Sequence, residues 1–227
     1  MASKGLVIEN EVASIYQEDY QRSMDDLGGG MMLPTLKLIQ KLTEAELEGG
    51  TKAEVGTLYH TQLKKAYTKP EVAIVYVGKA RLPKYQKPQE VQYNQLVVGY
   101  LLEDNVPFLL FVKGKNLGDF FKWQKRQADL IYEKKIPMYG FVSTIETFLA
   151  ENEFGKFYQL KFEIVKDKII SDPTLVKTLR GAVEIGKMAV KKQIEISMGE
   201  NISDEASESL SKEPKQIEDV NVEDIPF

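Results

Sequence analysis

Apolar residues along the chain follow two rhythms, and the switch between them separates the predicted elements. Over positions 1–27, Val12, Ile15, Tyr16, Tyr20 and Met24 recur at three- and four-residue steps, the spacing of one helix face. Gly28-Gly29-Gly30 breaks any helix and predicts a hinge, so 1–30 reads as a peripheral helical arm. From Met31 the segments become short and strand-like. One covers 33–40, opened by Pro34, and a weaker one covers 56–62. A stronger one runs from Glu71 to Gly78, where β-branched residues follow Pro70. Residues 79–95 mix Pro83 and Pro88 with lysines and tyrosines and read as a long loop. Strands over 96–102 and 107–113, joined by Glu103-Asp104-Asn105, predict a hairpin.

The rhythm then turns helical. Over 117–134, Leu117, Phe120, Phe121, Ala128, Ile131 and Tyr132 gather on one side, while Lys122, Lys125, Arg126, Asp129 and Glu133 take the other. Trp123 sits at the margin and reads as core. Pro137 forbids continuation, and a second hairpin is expected from 136–149 and 156–166 around Glu153-Phe154-Gly155. Asp172-Pro173 is an N-cap followed by proline at the first helical position. It predicts a helix to about Ser197 that buries Leu175, Leu179, Ala182, Gly186, Ala189 and Val190. Beyond Met198 large apolar residues are few among Ser, Glu and Asp, which predicts disorder. The expected fold is mainly β with helices: an OB-type β-barrel with one internal helix, a C-terminal helix and a disordered acidic tail. Its parts would be the arm at 1–30, the OB-like domain at 31–170, the helix at 171–198 and the tail at 199–227.

Composition removes whole classes of chemistry. None of the 227 residues is cysteine, which excludes disulfides, thiolate metal sites and a cysteine nucleophile. His60 is the one histidine, and its place in Tyr59-His60-Thr61 reads as an ordinary strand residue. Carboxylates are scattered, and Gly28-Gly29-Gly30 lacks the lysine of a phosphate loop. The chain is therefore expected to be no enzyme and to need no metal or cofactor. No run of about eighteen apolar residues exists, and positions 1–11 lack the h-region of a signal peptide, so no membrane is expected and a cytoplasmic location is.

Charge points to a partner. The formal net charge is -4, yet 199–227 holds nine acids against two lysines, a net of -7. Residues 61–135 hold 14 Lys/Arg against 7 Asp/Glu. Such a basic middle attracts polyanions. Within it Tyr76, Lys79, Arg81, Lys84, Tyr85, Lys87 and Tyr93 interleave cations with aromatic rings. That is the composition that single-stranded nucleic acid needs: cations for phosphates and flat faces for bases. Phe108, Phe111, Phe141, Phe157 and Phe162 alternate along strands and read as core instead.

The sequence closes on Asp219-Val220-Asn221-Val222-Glu223-Asp224-Ile225-Pro226-Phe227. This resembles the acidic tip of bacterial single-stranded DNA-binding proteins, which ends in acidic residues and Ile-Pro-Phe. The resemblance covers about nine residues and the general plan of folded domain, tether and tip. It implies a divergent member, from a phage or another mobile element, that coats single-stranded DNA. It also implies that Glu223, Asp224, Ile225, Pro226 and Phe227 recruit replication, recombination and repair proteins bearing a pocket for the tip. The alternative is a phage interaction or structural protein that does not bind DNA and whose tip mimics a single-strand binder. A homo-oligomer is compatible with either.

Overall fold

The apolar run Val72-Ala73-Ile74-Val75 needs cover on both sides, and the fold provides it. The computed structural model describes residues 32–198 other than 42, 44, 85, 86 and 154, with the backbone at 84, 87–89, 167 and 198. The expected arm at 1–30 and acidic tail at 199–227 lie outside the described residues. Strands β1 (Leu36–Leu38), β2 (Leu58–His60) and β3 (Lys65–Tyr67) make a small antiparallel sheet. There follow β4 (Glu71–Lys84), β5 (Lys87–Leu101), β6 (Val106–Lys113) and helix α1 (Asn116–Lys134). A 3-10 turn at Met138–Gly140 leads to β7 (Phe141–Asn152), β8 (Gly155–Ile169) and helix α2 (Pro173–Met198). The larger sheet has the order β6-β5-β4-β7-β8. The described chain is thus mainly β with two helices, neither long and apolar enough to cross a membrane.

Successive residues of β4 serve opposite cores. Val72 and Ile74 join Leu101, Phe108 and Leu110 beneath Phe120 and Trp123 of α1. Ala73 and Val75 join Leu96, Val98 and Leu109 beneath Leu179, Ala182, Ala189 and Val190 of α2. Phe108 is fully buried, and its truncation to Ala should cost about 3–5 kcal/mol. Helix α2 lies close because the sheet offers it no side chain at Gly78, where a Cβ would come within 2.4 Å of Val190. The cap read at Asp172 is formed, its Oδ1 accepting the Leu175 N–H at 2.8 Å. His60 ties the small sheet to β6: Nε2 donates to the Pro107 carbonyl at 3.0 Å and Nδ1 accepts the Leu63 N–H at 3.2 Å.

Two expectations need correction. The five strands do not close into a barrel, because α1 stands against both outer strands, β6 and β8. On the free edge of β8, the backbone N–H groups of Tyr158, Leu160 and Phe162 donate to side chains of Gln40, Asn116 and Asp119 at 2.9–3.0 Å. Those are groups that a closing strand would have to occupy. On the β6 edge the Leu109 N–H donates to the Pro34 carbonyl at 2.8 Å. The second correction is at 79–95, read as a loop: β4 and β5 run through it as a two-stranded ribbon, pairing Lys79 with Gln95, Arg81 with Tyr93 and Pro83 with Val91. Ala80 and Leu82 are buried against α2, and this covered face makes the segment a strand. Pro83 is accommodated at a register irregularity beside Lys84.

Candidate nucleic-acid interface

Because strands alternate faces, burying Ala80 and Leu82 under α2 turns Lys79 and Arg81 to the other side of the ribbon. Both are exposed, and neither has an ion pair among the described residues. Directly across from Arg81 stands Tyr93, 37% exposed, and its ring centroid lies 6.5 Å from that of Phe121 on α1. Phe121 is itself 43% exposed, so the two rings offer partly open aromatic faces beside two free cations. Lys122 and Lys125 are exposed on the same helix. The Tyr93 hydroxyl accepts a hydrogen bond at 2.7 Å from Nε2 of Gln95, which is wholly buried, so the ring is held from beneath.

Not every residue singled out in the sequence joins this face. Tyr76 lies on the opposite side, half-buried under α2, where its Cβ is 3.1 Å from the place a Cβ on Gly186 would occupy. The odd three-residue step from Tyr76 to Lys79 puts them on opposite faces of one strand. The backbones of Lys84 and Lys87 pair at the ribbon's end. Tyr85 and the tip residues Glu223, Asp224, Ile225, Pro226 and Phe227 lie outside the described residues. Phe121 is the member the sequence missed. It follows Phe120 on the apolar arc of the helix, yet Phe120 is fully buried and Phe121 is not. Trp123 is core, donating its indole N–H to Ser143 Oγ at 3.1 Å.

Other lysines are neutralised where they stand. Lys65 reaches Glu103 at 2.8 Å and Asp104 at 3.0 Å, and the bond to Glu103 leads in raising its pKa. The Tyr67 hydroxyl donates to Asp104 at 2.6 Å, which with Lys65 holds that carboxyl below its ordinary value. Burial, reinforced by Asp104, pushes Tyr67 up. Lys69 meets Glu146 at 2.9 Å, and Lys161 meets Glu163 at 2.8 Å, lowering the pKa of Glu163. Among the described residues no three acidic or imidazole groups converge to hold a metal. No protein-family model matches the chain, and neither a curated protein nor a solved structure matches it.

Proposed function

We propose that the chain is a single-stranded DNA-binding protein that also recruits partner proteins through Glu223–Phe227. The observation that carries the first half is the pairing of two free cations, Lys79 and Arg81, with the partly exposed Tyr93–Phe121 rings on one face of the ribbon. Cations track phosphates while rings take bases, and each stacked base contributes roughly 1–3 kcal/mol. The strand order supports the same reading. A meander of three strands, then a helix, then two strands, ordered β6-β5-β4-β7-β8, agrees with an OB-type arrangement left open between its outer strands. In that arrangement the first interstrand loop contributes to oligonucleotide binding, and here it falls at the end of this ribbon. The recruiting half rests on the tip, where a ring follows a conformationally restricted proline and two carboxylates.

The deciding experiment is a titration of the full chain against fluorescent oligothymidine at several salt concentrations. The expected result is binding whose logarithm falls linearly with log salt, by about 0.7 per phosphate neutralised. A chain that shows no binding even at low salt is not a single-strand binder. The recruiting half is tested apart, by pull-down with Phe227→Ala, which should lose partners at unchanged DNA affinity.

A further inference from the structure

The fold leaves one ring of α1 unused. Tyr132, near the helix end, is 78% exposed, the most open aromatic ring among the described residues. Lys135, which ends the helix in the left-handed conformation at φ 57°, holds its ammonium 4.1 Å from the centre of that ring. One face of Tyr132 thus carries a cation, and the high exposure leaves the other open. Tyr132 is also in line with Phe121. At the helical turn per residue, Phe121, Lys125, Ala128 and Tyr132 follow i, i+4, i+7 and i+11 and share an arc of about 60°. The core side of α1, with Phe120, Trp123 and Gln127, faces the other way. The two rings stand about 16 Å apart along the axis. Lys125 lies between them with Lys122 beside it, both exposed and without an ion pair among the described residues. Asp129 and Glu133 flank the row, and Glu133 is matched by Lys134 at 2.8 Å.

The geometry points to this row as a second stacking platform: single-stranded DNA leaving the Tyr93–Phe121 rings runs along α1 to Tyr132, with Lys122 and Lys125 on its phosphates. Three observations select this occupant. Phe121 belongs to both surfaces, since its ring lies 6.5 Å from that of Tyr93, so the row continues the ribbon face. Unpaired cations alternate with rings, the combination that single strands bind. Between its rings the row offers only a lysine and an alanine, too little apolar surface for the core of a protein interface. A stacked strand rises about 3.4 Å per nucleotide, so the row takes about five nucleotides beyond the ribbon, and fewer of an extended strand. The inference rests on the DNA reading of the ribbon. It adds a direction and a length: the strand leaves the sheet along the helix instead of crossing β7 and β8.

Oligothymidines of about 4 to about 16 nucleotides, the range of site sizes for one OB fold, test this on the full chain. Tyr132→Ala should leave affinity for the shortest within about twofold of the parent and weaken binding of the longest about five- to tenfold. Tyr132→Phe, which keeps the ring, should bind the longest as the parent does. Lys122→Ala with Lys125→Ala should flatten the log–log salt slope for the longest by up to about 1.4 and leave the slope for the shortest unchanged. Asp129→Asn should tighten binding of the longest about twofold, by removing a charge that repels phosphate. Tyr132→Trp gives a direct readout, because the single native tryptophan, Trp123, is buried. Its added emission should be quenched by the longest strand and not by the shortest, at an unchanged melting temperature. Equal weakening by Tyr132→Ala at every length, or emission that ignores DNA, overturns the proposal. Emission that changes with protein concentration in the absence of DNA makes the row a contact between copies and overturns it too. The two readings fail separately: a parent chain that binds no length sinks the DNA reading, and binding that Tyr93→Ala weakens but Tyr132→Ala leaves untouched at every length sinks only the row.

Discussion

Two groups of cations among the described residues meet different fates. Along the larger sheet's β7–β8 side and the β5–β6 turn, Lys65, Lys69, Lys161 and Lys168 each end within 2.5–3.0 Å of a carboxylate. On the far side of the β4–β5 ribbon, Lys79 and Arg81 meet none among the described residues, and a pair of aromatic rings lies beside them instead. Exposed ion pairs typically contribute only 0–1 kcal/mol, so the first group does little for stability. What pairing does there is cancel field. The difference leaves the ribbon as a surface where unpaired cations lie beside rings that can meet bases, and charge alone would not have separated the two.

The ribbon is where the two groups of cations should differ most. Replacing Lys79, Arg81, Lys84 and Lys87 with Ala should weaken oligothymidine binding on the order of a hundredfold and flatten the log–log salt slope by up to about 3. Replacing Lys65, Lys69, Lys161 and Lys168 instead removes as many positive charges. If binding depends only on net charge, the two quadruple variants will weaken it equally, and paired and unpaired cations do not differ in their access to DNA. A twofold effect or less from the second set is the expected outcome.

Next in size is the loss of a ring. Tyr93→Ala should lower affinity about tenfold while leaving the salt slope unchanged, because stacking releases no counterions. Phe121→Ala should do the same to a smaller degree. Tyr76→Ala should leave affinity unchanged and lower the melting temperature, since that ring packs under α2. Fluorescence anisotropy at two salt concentrations and a thermal melt distinguish these outcomes.

How far these features were legible depends on how local their causes are. The Asp172 cap and the apolar stripe of α2 are contained within a few residues, and the helix forms where the pattern puts it. The hydrophobic run of β4 is likewise self-announcing. The ribbon was not, although its alternation of Lys79, Ala80, Arg81 and Leu82 was present in the sequence. Covering Ala80 and Leu82 needs α2, about a hundred residues later, and without that cover prolines and lysines read as a loop. A bulge adds to the difficulty. Ile74 pairs with Gly99 and Tyr76 with Val98, so Val75 is an extra residue and the parity of everything after it reverses. Had the strand alternated regularly through Val75 and Tyr76, Lys79 and Arg81 would face α2. The open sheet also has a non-local cause, the bonds from β8 to Asn116 and Asp119, 44 and 43 residues away in sequence. Even the basic excess over 61–135 mixes both populations of lysine, because the carboxylates that silence Lys69 lie on β7 and β8, at Glu146 and Glu163.

Acid should act on the paired region alone. Asp104 has its pKa lowered by the Tyr67 hydroxyl and Lys65, so the folded state favours its ionised form. That contribution is complete above the ordinary carboxylate range, near pH 4, and fades as pH falls through the lowered folded value. Asp104→Asn should therefore cost about 1 kcal/mol at pH 7, discounted for partial exposure, and the gap from the parent should close below about pH 3. Oligothymidine affinity, which we propose to rest on the ribbon rather than on this pair, should not follow that loss of stability. Thermal melts of both chains across pH, beside binding at the same values, test this. Affinity that fell in step with stability would tie the two regions together.

The smallest effect is the most direct test of the paired region. Lys161→Ala removes the partner of Glu163 at 2.8 Å but leaves Lys69 within 3.7 Å of the same carboxylate. Lys69 already bonds Glu146 at 2.9 Å, so it can redistribute between the two acids at little cost. All these groups are substantially exposed, and water screens whatever remains. The expected change in stability is within about 0.5 kcal/mol. DNA affinity should not move measurably, because a cation already matched by a carboxylate contributes almost no outward field. If instead Lys161→Ala alone weakened oligothymidine binding severalfold with a shallower salt slope, DNA would be displacing Glu163 to reach that lysine. The interface would then extend across β8, and pairing within the free protein would be no guide to which cations meet phosphate.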